Sequence, residues 1–96
     1  MLMLVAYDVS TETIVGRRRL RRVARACLDF GQRVQNSVFE CEVDPGQWAA
    51  LRARLIAEID PTADSLRFYR LGADGRRRVE HVGAKPTLDL DGPLLF

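Results

Sequence analysis

The sequence predicts an α+β domain of order β-α-β-β-α-β followed by one more short strand. Three observations carry that prediction: an apolar run at residues 2–9, two segments with helical apolar spacing and end signals, and short alternating stretches between and after them. Strands separated by helical segments in this order form a split βαβ arrangement, with both helices on one face of an antiparallel sheet, the ferredoxin-like plan.

The first run, LMLVAYDV, is almost unbroken in apolar character, which suits a central strand covered on both faces. A polar turn over residues 10–16 follows. From about residue 15 to Phe30, Leu20, Val23, Ala24, Cys27 and Leu28 recur at helical spacing and predict one buried stripe. Gly31 then stands where a helix end favours a residue tolerant of the left-handed conformation. Residues 33–43 are rich in branched and aromatic side chains, but their alternation changes phase. Val34 and Val38 share one parity, whereas Phe39, Cys41 and Val43 share the other. A phase change in a two-residue repeat requires a turn or a bulge, placed here at residues 36–38. Asp44 and Pro45 predict the start of the second helix, with Trp48, Leu51, Leu55, Ile56 and Ile59 on its buried side. Residues 65–71 alternate cleanly, Leu66, Phe68 and Arg70 against Arg67, Tyr69 and Leu71. Asp74 and Gly75 signal a turn before a short strand over 79–82. The domain is therefore residues 1–83. Residues 84–96 form a tail whose stretch 87–90 would either add to a partner's sheet edge or fray.

A chain of 96 residues holds one core, and so small a core is often supplemented by oligomerisation. The apolar start is too short to span a bilayer and lacks the features of a signal peptide. Cys27 and Cys41 fall at predicted core positions, as thiols of a reducing compartment do, so a cytoplasmic location is expected. The net charge of +2 conceals a strong asymmetry. Fourteen of the fifteen basic residues are arginine, and seven of them (17, 18, 19, 21, 22, 25 and 33) lie within residues 17–33, where Asp29 is the only acid.

Two features carry candidate chemistry. Asp8 ends the first strand, so its carboxylate emerges at the rim of the sheet. It either caps the following turn or is an oxygen ligand for a hard cation such as Mg²⁺. A single carboxylate is a poor metal site; a two-fold axis bringing a second copy would make a better one. The second feature is the arginine run. Arg17, Arg21 and Arg25 lie four residues apart, with Arg18 and Arg22 alongside. Either this is an ordinary solvated face, or its unmixed charge is relieved by a polyanion, and the latter is favoured because solvated faces intersperse acids. Tyr7, Phe39, Phe68 and Tyr69 offer rings for stacking, or belong to the core. Ser37 either bonds a phosphate or stabilises its turn. His81 is the sole histidine, which leaves little for histidine-based zinc sites or triads.

The opening MLVAYDVS, the arginine-rich first helix, the run Gly31, Arg33, Val34, Gln35, Ser37, Val38, Phe39, Glu40, and DSLRFYRL at 64–71 together resemble the CRISPR-associated protein 2 family, over residues 2–82. The resemblance implies a ferredoxin-like homodimer acting in spacer acquisition, bridging two dimers of the CRISPR-associated integrase subunit and holding DNA. It also implies a Mg²⁺-dependent endonuclease, chiefly on single-stranded RNA and in some members on duplex DNA. Asp8 would bind the metal across the dimer axis. The family's neighbouring positions match Tyr7, Arg17 or Arg18, Arg33 and Phe39, and exchange of a final strand is a family habit. The rival expectation is a non-catalytic DNA-binding scaffold in which Asp8 is structural. A generic ligand-binding regulatory domain is disfavoured by the arginine run and by the lack of a ligand-loop signature.

Overall fold

The computed structural model describes residues 1–72 and 77–84, with Arg77 and Arg78 described in backbone only. The elements are β1 (Leu2–Asp8), α1 (Ile14–Leu28), β2 (Gln32–Gln35), β3 (Val38–Glu42), α2 (Pro45–Glu58), β4 (Ser65–Leu71) and β5 (Arg77–Gly83). They build one antiparallel sheet of order β2-β3-β1-β4-β5, which is the expected ferredoxin-like arrangement with an added edge strand. The expected turn at Asp74 and Gly75 and the tail stretch 87–90 lie outside the described residues.

Side-chain parity along the strands divides the sheet into two faces. Met3, Val5, Tyr7 and Val9 of the first strand region join Phe39, Cys41, Leu66 and Phe68 beneath the helices, where Val23, Ala26, Cys27, Leu51 and Leu55 close the core. Leu4 belongs to a separate small cluster on the opposite face with Val38 and Tyr69, flanked by Ala6 and Val79. The apolar run of β1 is thus explained by two clusters, one on each side.

Local signals account for the helices. Thr13 caps α1, its Oγ1 accepting the Gly16 N–H at 2.9 Å. Asp44 caps α2 through a reciprocal box with Gln47, and Pro45 occupies the first turn, where its missing N–H costs nothing. Trp48 packs edge-on against Phe68, with ring centroids 4.9 Å apart.

Two expectations are corrected. Leu28 is 52% exposed, because the core stripe of α1 rotates through Val23, Ala26 and Cys27 and leaves Leu28 on its outer side. Gly31 has no positive φ; its requirement is space. A Cβ there would lie 2.1 Å from the Glu40 carbonyl oxygen and 2.7 Å from Cys41 Sγ, so the glycine lets the chain leaving α1 press against β3.

The phase change between β2 and β3 has two causes. Asn36 and Ser37 form a turn, and the pairing skips Val34, since Arg33 opposes Phe39 while Gln35 opposes Val38. The skipped residue lies in β2; β3 itself alternates without a break against β1, with Phe39 on the helix side and Val38 on the open side.

Candidate metal and nucleic-acid interface

Asp8 is exposed and shares its parity with Leu4 and Ala6, so it projects from the sheet face opposite the helices. It stands at the rim, next to the turn joining β2 and β3. The Tyr7 N–H donates to the Ser37 carbonyl at 3.0 Å, and the Tyr7 hydroxyl donates to the Asn36 carbonyl at 3.4 Å. Ser37 therefore fixes its turn against the end of β1. Across the other neighbouring strand, Asp8 pairs with Ser65, the first residue of β4.

What holds this rim in place is Asp64, read from the sequence only as the first residue of the DSLRFYRL run and given no role there. Asp64 is fully buried, yet all its bonding is internal. Its Oδ1 accepts the Ser10 N–H at 2.9 Å, and its Oδ2 accepts the Asp60 N–H at 2.9 Å and Arg19 Nε at 2.8 Å. One carboxylate thus ties together the loop after β1, the helix α1 and the turn before β4. Burial pushes its carboxyl up, but the bonds from Arg19 and the two amides outweigh burial and hold it below the usual value. The sequence signal was weak: only an acid just before a strand, 45 residues from its arginine. Gly16 completes the joint, since a Cβ there would sit 2.1 Å from the Ser10 carbonyl oxygen.

The seven clustered arginines do not share one role. Arg19, left out of the phosphate-facing stripe expected from the sequence, is tied to Asp64 and turns inward, its side chain only 15% exposed. Arg17 donates to the Thr11 carbonyl at 3.2 Å and braces the loop behind Asp8. Arg18, Arg21, Arg22 and Arg25 line an open groove of about 340 Å³ between α1 and α2, together with Arg54 and Glu58. Asp29 sits at one end and draws Arg54 to 2.8 Å and Arg25 to 3.7 Å. Arg18, Arg21 and Arg22 have no carboxylate within ion-pair distance among the described residues. Five guanidinium groups thus stand against two carboxylates, Glu58 in the lining and Asp29 at the end, which leaves an excess of positive charge and an anion-attracting field.

The two predicted aromatic contacts are corrected. Tyr7 is 6% exposed and Phe39 is fully buried. Their rings stack on each other with centroids 6.1 Å apart, and neither has an open face for a base. Arg33, exposed at the sheet margin, lies with its guanidinium carbon 5.1 Å from the centroid of Phe39, so the aromatic pair supports an arginine instead of a nucleobase. Burial pushes the Tyr7 hydroxyl up, an effect partly opposed by Arg33.

The structure brings Asp8, Ser37 and the start of α1 to one rim. It does not bring Asp8 and the arginine groove together, because Asp8 projects from the open face while the groove lies on the outer side of the helix layer. Among the described residues, no group of three or more histidine, cysteine, aspartate or glutamate side chains is placed to hold a metal within one subunit. No described helix is long and apolar enough to cross a membrane.

Comparison with known proteins is consistent with these features. The family profile of CRISPR associated protein Cas2 matches residues 1–79. The chain is 67% identical over 95 residues to a CRISPR-associated endoribonuclease Cas2 of Rhodospirillum rubrum, covering 99% of this chain and all of that one. It is 55% identical over 96 residues to a CRISPR-associated endonuclease Cas2 of Halalkalibacterium halodurans, covering both chains fully. The crystal structure of Streptococcus pyogenes Cas2 at pH 6.5 superposes with a TM-score of 0.70 at 58% identity, over 75% of this chain and 87% of that one. A hypothetical protein of Thermus thermophilus matches with a TM-score of 0.60 at 30% identity, over 97% and 94% of the two chains. With a profile match over most of its length and relatives this similar, the chain belongs to the CRISPR associated protein Cas2 family.

Proposed function

We propose that this protein is a cytoplasmic, Mg²⁺-dependent endoribonuclease of CRISPR immunity, acting as a homodimer in which Asp8 of both subunits serves one centre. The observation that carries the proposal is the exposed Asp8 carboxylate at the end of β1, on the same face as the apolar cluster of Leu4, Val38 and Tyr69. Relatives 67% and 63% identical are named endoribonucleases, which supports cleavage of RNA as the reaction class.

The donor set fits the cation. Mg²⁺ favours hard oxygen ligands, retains several waters and needs only one or two carboxylates from the protein. One subunit offers one such group, so two copies meeting through the open face provide the pair. The apolar cluster on that face gives the two sheets something to bury, and self-association through one patch is the usual symmetric solution. When bound, the cation supplies Lewis-acid polarisation of a phosphate and a more acidic water. The chain's own residues hold the site: Asp64 and Gly16 fix the loop behind Asp8, and Ser37 pins the neighbouring turn.

The groove of Arg18, Arg21, Arg22, Arg25 and Arg54 supports a second activity, the holding of duplex backbone without cleavage. Membership of the family accords with this as a scaffold role in spacer acquisition beside the integrase subunit. Its separation from Asp8 favours two surfaces with separate tasks.

The test is cleavage of labelled single-stranded RNA and duplex DNA with Mg²⁺ or chelator, by the wild-type protein and Asp8→Asn. Mg²⁺-dependent cleavage that disappears in Asp8→Asn is the expected result. Cleavage that survives chelation or the substitution rejects the proposed centre, and intact binding with no cleavage leaves only the scaffold role.

A further inference from the structure

The groove between α1 and α2 is not uniform along its length. Toward the start of α1, Arg18, Arg21 and Arg22 have no carboxylate within ion-pair distance among the described residues. At the other end Asp29 spans the two helices. Its Oδ2 accepts Arg54 Nη1 from α2 at 2.8 Å, and its Oδ1 lies 3.7 Å from Arg25 Nε on its own helix. Arg18 and Arg25 stand about 10 Å apart along the helix axis, so the two ends are separate positions for an anion.

Two further observations set Asp29 apart from an ordinary surface acid. It is the C-cap of α1, where the helix dipole disfavours negative charge, so its carboxylate is held there by the arginines and against its own helix. Its backbone is also fixed. The Asp29 N–H donates to the Arg25 carbonyl at 3.1 Å, and the Phe30 and Gly31 N–H groups donate to the Cys27 carbonyl at 3.1 and 2.9 Å. Gly31 is itself pressed against β3. A short side chain on so constrained a turn has little room to swing away. With one arginine on each oxygen, the carboxylate presents what a phosphodiester presents with its two non-bridging oxygens. Asp29 thus occupies, from within the chain, the place of a phosphate between Arg25 and Arg54.

We propose that Asp29 is a built-in competitor for phosphate, which keeps Arg25 and Arg54 out of use and confines a bound duplex backbone to the Arg18, Arg21 and Arg22 end. This rests on the reading of the groove as a site for duplex backbone. The competition is mild, because the Asp29 side chain is 44% exposed and ion pairs of that kind are individually weak. It limits how tightly the groove holds a nucleic acid without closing it. Glu58 also lines the groove but enters no ion pair among the described residues, so it opposes an anion through the general field and withholds no arginine.

The experiment measures binding of a labelled DNA duplex to the full chain by fluorescence anisotropy over a series of salt concentrations, with chelator present so that no metal-dependent cleavage intrudes. Asp29→Asn is expected to tighten binding by about 2- to 30-fold, the range set by two exposed ion pairs that no longer have to be broken. The slope of log affinity against log salt should steepen by about one to two contacts. Asp29→Ala should give the same gain, and unfolding temperature is measured for every variant. Combining Asp29→Asn with Arg25→Gln and Arg54→Gln should return affinity and slope to near the wild-type values. Glu58→Gln removes an equal charge without releasing an arginine and should leave the slope unchanged. Binding by Asp29→Asn that is equal to or weaker than wild type overturns the proposal. So does a gain that persists without Arg25 and Arg54, since the cause is then the general field. The groove reading fails separately: if Arg18→Ala, Arg21→Ala, Arg22→Ala binds the duplex as wild type does at every salt concentration, the duplex sits elsewhere and the competitor falls with the groove. A weakened triple variant beside a neutral Asp29→Asn sinks the competitor alone.

Discussion

Asp64→Asn tests the joint that sets the rim. The substitution keeps the shape of the side chain and one acceptor oxygen, but it removes the charge facing Arg19 and turns an amide donor toward groups that themselves donate. The native carboxylate is fully buried and accepts from Ser10, Asp60 and Arg19 at 2.8–2.9 Å. Breaking one side of a buried pair typically costs about 3–5 kcal/mol; the partial exposure of Arg19 argues for the lower end, about 3 kcal/mol. For a domain of this size each kcal/mol moves the midpoint by about 4–8 °C, so Tm should fall by roughly 12–24 °C. The pH dependence has a definite sign. The folded Asp64 carboxyl titrates below its ordinary value, so its contribution is fully present above the unfolded-state pKa and is lost as pH falls through the folded one. The asparagine variant lacks that contribution at every pH. The gap between wild type and variant should be widest near neutral pH and close on acidification, as pH falls through the depressed pKa of the folded carboxyl. Denaturant unfolding of both proteins across that range measures it. A variant within about 0.5 kcal/mol of wild type at neutral pH, the scatter of ordinary surface changes, or a gap constant with pH, would refute the role given to Asp64.

Other outcomes follow from the same geometry. The triple substitution Arg18→Ala, Arg21→Ala, Arg22→Ala should weaken duplex binding alike for all sequences and lower the slope of log affinity against log salt by about three contacts, read by fluorescence anisotropy at several salt concentrations. Burial pushes the Cys27 thiol up to about 12 and the Cys41 thiol up to about 11, so neither should react with a thiol reagent in the folded protein near pH 8, while both should react in denaturant. Gly31→Ala places a methyl group against the Glu40 carbonyl and Cys41, and should lower stability by about 1–3 kcal/mol in thermal unfolding, the usual cost of overpacking. Asp8→Asn, in contrast, should unfold within about 0.5 kcal/mol of wild type, since Asp8 is exposed.

Local chemistry was the legible part of this fold. The Asp44 and Pro45 pair announced α2, and the alternation of residues 65–71 sorted the β4 side chains into the two sets that lie on opposite faces of the sheet. The break in alternation between Val34 and Phe39 was visible as well, although the skipped residue and the turn contribute to it jointly. What escaped was everything settled by long-range pairing. Arg19 looks like its neighbours in the arginine run, and only the arrival of Asp64 from 45 residues away distinguishes it. Tyr7 and Phe39 carry ring systems suited to stacking, but a strand's parity decides whether a ring meets solvent, and theirs points under the helices.

The two-sided character of β1 makes its length a functional quantity. Tyr7 and Asp8 are adjacent in the chain yet serve opposite sides of the sheet, one in the interior and one at the rim. Deleting a single residue between Leu2 and Ala6 would leave the composition of the strand almost untouched while transposing every later side chain. The phenol would be carried outward and the carboxylate driven beneath the helices, where an unpaired charge is strongly disfavoured. Point substitutions along this strand test individual groups, whereas an insertion or deletion tests whether the molecule can still tell its inside from its outside.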